Sequence, residues 1–364
     1  MDIEGIHKRS KAGQLEIKGG SIKKTTSYWV EAKEGWIYYY KDEHSTQEPV
    51  GTIPLTGLEI KLLSKKETKK ADYAFQLTAK NKQAKDAKDK DWTFTVPSAE
   101  ELSQWYSAVT FNIQLASFDI FGVDIEVLVL KSNAEVPPIV TKTIDYLKNH
   151  TEVEGIFRLS GSTTEVDNYR TLWNTGMPID LSQCSNPHNV SNLLKLWLRE
   201  LPDPLLQYNN YNKIVSIAKA PADTRMAQMK ALVNELPKAN QGTLKYLLFF
   251  LKTASEKASV SKMTALNLAV VFGPSIIKSR EESLETAGNN DIINSLVEAM
   301  IQNPEAIFPA EAKKPPVAAP KAAVPPSLAV PSNANAQGAT SPGTNPKRLS
   351  NTQTPGGSFL GAQP

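Results

Sequence analysis

Between residues 97 and 138 the hydrophobic pattern of this chain changes period, so neither a single sheet nor a single helical bundle can accommodate all of it. From Gly13 to about Phe94 the apolar residues come in short aromatic and β-branched runs. These are Leu15-Glu16-Ile17, Tyr28-Trp29-Val30, Trp36 to Tyr40, Thr52 to Leu55, Leu58 to Leu62, Tyr73 to Leu77 and Trp92 to Val96. Turn residues or charges separate them, the pattern of an antiparallel meander. The almost wholly polar tract Lys80–Asp91 is expected to be a loop. After Pro97, Ser98-Ala99-Glu100-Glu101 has the Ser-x-x-Glu form of a helix-capping box. Leu102, Trp105 and Val109 follow at i, i+3 and i+7, which predicts one helix closing an end of a curved sheet or barrel. Residues 115–135 continue without a Pro/Gly-rich linker, and from Pro137-Pro138 onward the apolar period is helical, beginning with Ile139, Val140, Thr143, Ile144 and Leu147.

Composition narrows the possibilities. A length of 364 residues allows two or three domains, and 40% hydrophobic with 22% charged residues is ordinary for a folded globular chain. The formal net charge of +3 argues against a general nucleic-acid binder. One cysteine, Cys184, excludes an internal disulfide framework and favours a reducing, cytoplasmic setting. No apolar run approaches the roughly 18 residues of a membrane span, and the first residues, MDIEGIHKRSKAG, contain no apolar core of a secretory signal. Four scattered histidines offer no metal cluster and no nucleophile–histidine pairing, so neither a metal nor another cofactor is implied. Beyond Pro309 the chain is Pro/Ala-rich, then Ser/Gly/Thr/Asn-rich, and cannot bury a core. Residues 311–364 are therefore expected to form a disordered tail, and residues 1–12 a flexible start.

Within the helical half, Glu154-Gly155-Ile156-Phe157-Arg158-Leu159-Ser160-Gly161 sets one arginine among apolar residues and between two glycines. Burial of Ile156, Phe157 and Leu159 would pin the backbone, while the glycines permit tight turns on either side. Ser162-Thr163-Thr164-Glu165 is a second capping box. Arg158 is thus expected on an anchored loop just ahead of a helix N-terminus, whose dipole offers a cation nothing. Either it is an ordinary surface arginine, or it suits donation to an anion brought by another molecule. Downstream, Val190, Leu194, Trp197 and Leu201 share one helical face, with Lys195 and Arg199 four apart on the other, and Pro202 and Pro204 end that helix. Such a cationic pair suits a solvated face or an acidic partner. Ser261 to Ser275 reads as a nearly all-apolar, hence buried, helix ending at Gly273-Pro274, with Asn267 on the side of Met263, Leu266 and Val270. A buried amide there must either satisfy neighbouring backbone or reach a partner, since leaving it unpaired costs about 1–3 kcal/mol.

Residues 13–114 resemble a pleckstrin-homology (PH) domain, on Gly13-Gln14-Leu15, Gly35-Trp36-Ile37-Tyr38-Tyr39-Tyr40, Gly51-Thr52-Ile53-Pro54-Leu55 and Trp105 of the terminal helix. The resemblance implies a β-barrel with a C-terminal helix. It also implies a phosphoinositide or anionic-membrane site with Lys18, Lys23 and Lys24 supplying charge in the first loop. Thr25 and Ser27 stand where the family's second-strand basic residues would be. A domain used for protein contacts is the other reading of the same lysines.

Residues 117–310 resemble a Rho-type GTPase-activating (RhoGAP) domain. The residues carrying this are Phe121-Gly122-Val123, Gly155 to Gly161, Leu194 to Leu206, and Lys262-Met263-Thr264 with Asn267 to Pro274. The resemblance implies an all-α bundle acting on a Rho-family small GTPase in its GTP-bound state. Arg158 would be an arginine finger, Lys195 and Arg199 supports of the finger loop and contacts to the GTPase, and Asn267 a polar contact to the GTPase. Ser261 stands where asparagine is common and Asn186 where an acid is common, and neither is expected to touch the finger. The chain has no Gly-x-x-x-x-Gly-Lys-Ser/Thr phosphate loop of its own. The nucleotide site would therefore be the partner's, with this chain an activator rather than an enzyme. Rival readings are a GTPase-binding scaffold without catalytic effect and a membrane adaptor.

Overall fold

The computed structural model describes residues 10–43, 48–68, 71–80, 91–176, 179–281, 286 and 288–309. The expected polar loop lies mostly outside the described residues, as do residues 1–9 of the expected flexible start and the expected tail. Seven strands, β1 (Lys11–Gly19), β2 (Ile22–Lys33), β3 (Trp36–Tyr40), β4 (Gly51–Pro54), β5 (Leu58–Leu63), β6 (Ala74–Ala79) and β7 (Trp92–Thr95), form one antiparallel sheet in the order β4-β3-β2-β1-β7-β6-β5. Each overlaps one of the runs expected from the sequence, although β1 begins two residues before the expected boundary and Leu55, Tyr73 and Val96 fall just outside β4, β6 and β7. The period-two pattern sets the register. Leu15 lies opposite Tyr28 and Ile17 opposite Phe94, which places Ile17, Phe75, Leu77 and Phe94 inside the curl. Helix α1 (Ala99–Ala116) presses Trp105, Val109 and Ile113 into the same core. Its cap is one-armed. Ser98 Oγ accepts the Glu101 N–H at 3.1 Å, but the Glu101 carboxylate pairs with Lys11 at 3.1 Å instead of closing the box.

The longer helices of the helical half are α2 (Ile125–Ser132), α3 (Pro138–Lys148), α4 (Thr163–Trp173), α5 (Pro187–Glu200), α6 (Tyr211–Lys219), α7 (Ala222–Glu235), α8 (Lys238–Ser255), α9 (Ala265–Ile276) and α10 (Asn290–Gln302), with single turns of helix at Ala258–Ser261 and Pro304–Ile307. Its core is continuous through Ile144, Leu194, Trp197, Leu248, Leu268 and Val297. Two expectations need correction. The 115–135 bridge is not merely a connection, because it contains α2. The helix expected from Ser261 is broken: Lys262 takes a left-handed φ of 62°, and α9 starts afresh at Ala265, capped by Thr264 Oγ1 accepting the Asn267 N–H at 3.1 Å. It then runs through Pro274 rather than stopping there. Nor is α9 buried all round, since Leu266 and Val270 are 46% and 51% exposed on one face.

Residues 117–124 are tied to the bundle. The side-chain oxygen of Asn174 accepts the N–H groups of Ile120 and Phe121 at 2.8 and 3.1 Å, Trp197 Nε1 donates to Ile120 O at 3.2 Å, and Lys131 Nζ donates to Ser117 O at 2.5 Å. Helix α1 itself serves both cores, since Phe111 belongs to the helical one.

Candidate functional site

The stretch between α3 and α4 is a series of tight turns held from several sides. Gly155 donates its N–H to Ser261 O at 2.8 Å, and the N–H groups of Arg158 and Leu159 both return to Gly155 O at 2.9 Å. Phe157 has a left-handed φ of 72°, which costs a non-glycine residue about 1–2 kcal/mol. Its ring is fully buried, edge-on to Phe272 (5.4 Å between centroids) and Phe250 (5.9 Å). Burying a phenylalanine stabilises by roughly 1.5–3 kcal/mol, enough to hold the unfavourable backbone. With Phe157 anchored inward, the next residue is turned out. Arg158 is exposed, and its guanidinium makes no hydrogen bond or ion pair among the described residues. Ile156 is buried as expected, but Leu159 is 47% exposed and lies back over Gly155.

Lys195 sits on α5 beneath this loop. It does not share a solvated face with Arg199, as the spacing suggested, because it is only 8% exposed and Nζ donates to the carbonyl of Phe157. Burial, with the Arg199 charge one turn away, pushes its ammonium down to about 8. Among the described residues no carboxylate pairs with it. His188, one helical stripe back, is likewise lowered by burial and then by the Lys195 charge. Arg199 is exposed at the far end of α5. It lines a cleft with Lys278, Arg280 and Tyr208, and its backbone oxygen accepts from Lys278 Nζ at 2.7 Å. Of the two cations expected at the loop, the structure brings one to it.

Asn267 is half-buried, and Nδ2 donates to Lys262 O at 2.8 Å. Of the two alternatives open from the sequence, the amide takes the first: it satisfies neighbouring backbone, beside the exposed Leu266 and Val270. It also steadies the turn whose Ser261 carbonyl holds Gly155. Ser261 holds the start of the Arg158 loop, at Gly155, through its backbone carbonyl, which no side-chain identity could have revealed. The second capping box is also altered. Ser162 Oγ accepts the Glu165 N–H at 3.4 Å, while the Glu165 carboxylate takes the side-chain amide of Asn189, whose oxygen accepts the Ser162 N–H at 2.8 Å.

In the sheet half, Lys18, Lys23 and Lys24 are all exposed, but none lies in a loop. Lys18 is the last residue but one of β1, Lys23 and Lys24 follow Ile22 at the start of β2, and only Gly20-Ser21 separates the strands. The hairpin projects three cations around its tip, with Lys23 lining a cleft shared with Trp92, Gly57 and Pro54. Thr25 and Ser27 are exposed further along β2. Among the described residues, no group of His, Cys, Asp and Glu is placed to hold a metal ion, and no helix is long and apolar enough to cross a membrane.

Comparison with known proteins places these geometries. The family model of the RhoGAP domain matches residues 137–281, and that of the PH domain residues 9–114. The chain carries a PH domain followed by a RhoGAP domain. Rho GTPase-activating protein gacJJ of Dictyostelium discoideum is 38% identical over 208 residues, covering 54% of this chain and 24% of that protein. Rho GTPase-activating protein 24 of Homo sapiens is 28% identical over 322 residues, covering 85% of this chain and 43% of that protein. The chain thus spans less than half the length of these relatives. The crystal structure of human Rho GTPase activating protein 15 superposes with a TM-score of 0.51 at 28% identity, over 59% of this chain and 100% of that one. Both capping boxes and all seven β runs fall inside the two domains so defined.

Within the RhoGAP domain, sequence reading missed the left-handed Phe157, the carbonyl of Ser261 and the amide of Asn189. Only the last carried a signal, a polar residue directly before Val190 on the buried side of α5, which also takes Ser191 and Lys195.

Proposed function

We propose that this chain is a GTPase-activating protein for Rho-family small GTPases of the Rac, Rho or Cdc42 kind, lending Arg158 in trans to the partner's nucleotide site. The observation that carries the reading is an exposed guanidinium, without a partner among the described residues, on a loop fixed immediately upstream by a buried lysine. Phosphoryl transfer to water is accelerated by positioning and charge stabilisation, and an arginine supplied in trans contributes about 10³–10⁵-fold. That corresponds to roughly 4–7 kcal/mol, delivered as the charge-assisted hydrogen bonds of a planar fork to phosphoryl oxygens. Lys195 steadies the loop through the Phe157 carbonyl. Asn267, Arg199 and the exposed Leu159, Leu266 and Val270 form the face offered to the GTPase. The chemistry happens in the partner's active site, so the chain is an activator and needs no cofactor.

The domain assignment is a PH domain over 13–114, a RhoGAP domain over 117–310 and a tail over 311–364. The three hairpin lysines direct the PH domain to phosphoinositide or another anionic cytoplasmic membrane surface, at about 1 kcal/mol per lysine. The deciding experiment is single-turnover GTP hydrolysis by Rac-, Rho- and Cdc42-like GTPases with wild type and Arg158→Ala. Stimulation should fall by about 10³-fold or more, with affinity for the GTP-analogue-loaded GTPase changed by less than about threefold. Equal stimulation by the variant refutes the reading.

A further inference from the structure

We propose that Asn189 is a positioning residue for the arginine finger, holding the exit of the Arg158 loop as Lys195 holds its entrance. The inference rests on the reading of Arg158 given above.

In an ordinary capping box the glutamate three residues into the helix returns to the N–H of the capping residue. Here an amide is inserted between them. The Ser162 N–H is taken at 2.8 Å by Asn189 Oδ1, and Asn189 Nδ2 donates to the Glu165 carboxylate. Asn189 is fully buried, so both ends of its amide are committed to the start of α4. The approach is close enough that a Cβ on Gly161 would lie 2.2 Å from Asn189 Oδ1, so the glycine and the amide are fitted to each other. Asn189 and Lys195 are six residues apart on one helix, about 9 Å along its axis. From that single rigid element one side chain grips the carbonyl of Phe157, just before Arg158, and the other grips the N–H of Ser162, four residues after it. Only residues 158–161 remain between the grips, and Arg158, Leu159 and Ser160 among them are exposed. A guanidinium carried on so short a bracketed span reaches its phosphoryl target from one restricted set of positions, and such restriction acts on the maximal rate rather than on docking.

The test reverses the polarity of the amide–carboxylate pair in the full-length chain. Asn189→Asp keeps an acceptor for the Ser162 N–H but faces Glu165 with a second carboxylate. Asn189→Asp combined with Glu165→Gln restores a donor opposite an acceptor. Stimulated hydrolysis is measured in single turnover across GTPase concentrations, using whichever of the Rac-, Rho- and Cdc42-like GTPases responds best to wild type, with thermal unfolding followed alongside. Asn189→Asp should lower the maximal rate about tenfold with half-saturation within about twofold, and the double variant should recover to within about threefold of wild type. The proposal is overturned if Asn189→Asp folds and keeps the wild-type maximal rate, if only half-saturation moves, or if the double variant folds as wild type yet stays slow. Arg158→Ala run in parallel separates the two ideas: full stimulation by that variant removes the finger itself, whereas loss there without rescue by the swap removes the Asn189 bracket alone.

Discussion

Replacing Lys195 by methionine should separate activity from stability, because the ammonium that clamps the Arg158 loop is itself destabilising. A hydrogen bond from a charged donor to a buried carbonyl contributes about 1.5–3 kcal/mol. If the productive loop position depends on it, Lys195→Met lowers the maximal stimulated rate by roughly 10- to 150-fold. The stability balance runs the other way. Lys195 is only 8% exposed, and burial brings it from 10.5 to about 8. That difference of about 2.5 multiplied by about 1.4 kcal/mol means the charged form costs the fold on the order of 3 kcal/mol near neutrality. Methionine removes that cost but leaves the Phe157 carbonyl unpaired, at about 1–3 kcal/mol. The unfolding free energy at pH 7 should therefore stay within about 2 kcal/mol of wild type while activity falls.

The pH dependence gives the sign independently. Between about 8 and 10.5 the unfolded chain holds a proton on Lys195 that the folded chain has released, so wild-type stability relative to Lys195→Met rises with pH across that window. Below about 8 both states are protonated and the difference is flat. Stimulation by wild type moves oppositely, declining above about pH 8 as the clamp loses its charge. Chemical denaturation and GTPase stimulation, each measured from pH 6.5 to 9.5 and corrected for the intrinsic GTPase rate, test both trends. A variant as active as wild type, or one that retains the alkaline decline, refutes the clamp.

Two further outcomes follow from the geometry. Gly161→Ala places a Cβ 2.2 Å from Asn189 Oδ1 and 2.8 Å from the Asn189 backbone nitrogen, so helix or loop must shift; stability should fall by about 1–3 kcal/mol with a lower maximal rate, and an unchanged denaturation midpoint would contradict that packing. Lys23→Glu with Lys24→Glu should weaken sedimentation with phosphoinositide-containing vesicles by about tenfold or more at physiological salt, while leaving hydrolysis stimulated in solution unchanged; vesicle binding equal to wild type would turn the hairpin toward protein contacts.

Much of the fold was legible because each half follows one simple period. A short aromatic or β-branched run marked every strand, and Trp105 and Val109 fell on the buried face of α1. The site was legible in part. Arg158 stood out because two glycines and two buried apolar neighbours left one side chain with nowhere to go but outward. Lys195 was placed on the wrong face, since helical spacing ranks faces by hydrophobicity and cannot foresee a carbonyl arriving from a separate loop. Arg199 was grouped with it by the same spacing, yet α5 carries the two cations into different surroundings.

What the order of residues determined by itself is the division into a sheet half and a helical half, the location of the turns, and which arginine is isolated. Those properties are set by periodicity and by glycine, proline and capping residues acting over a few neighbours. Only the folded chain decided which groups hold that arginine's loop. The Phe157 carbonyl meets Lys195, the Gly155 N–H meets the Ser261 carbonyl, and the Ser162 N–H meets Asn189, across separations of 27 to 106 residues. A backbone N–H or C=O carries no signature of its own in the sequence, so which distant side chain or carbonyl reaches it is decided by packing.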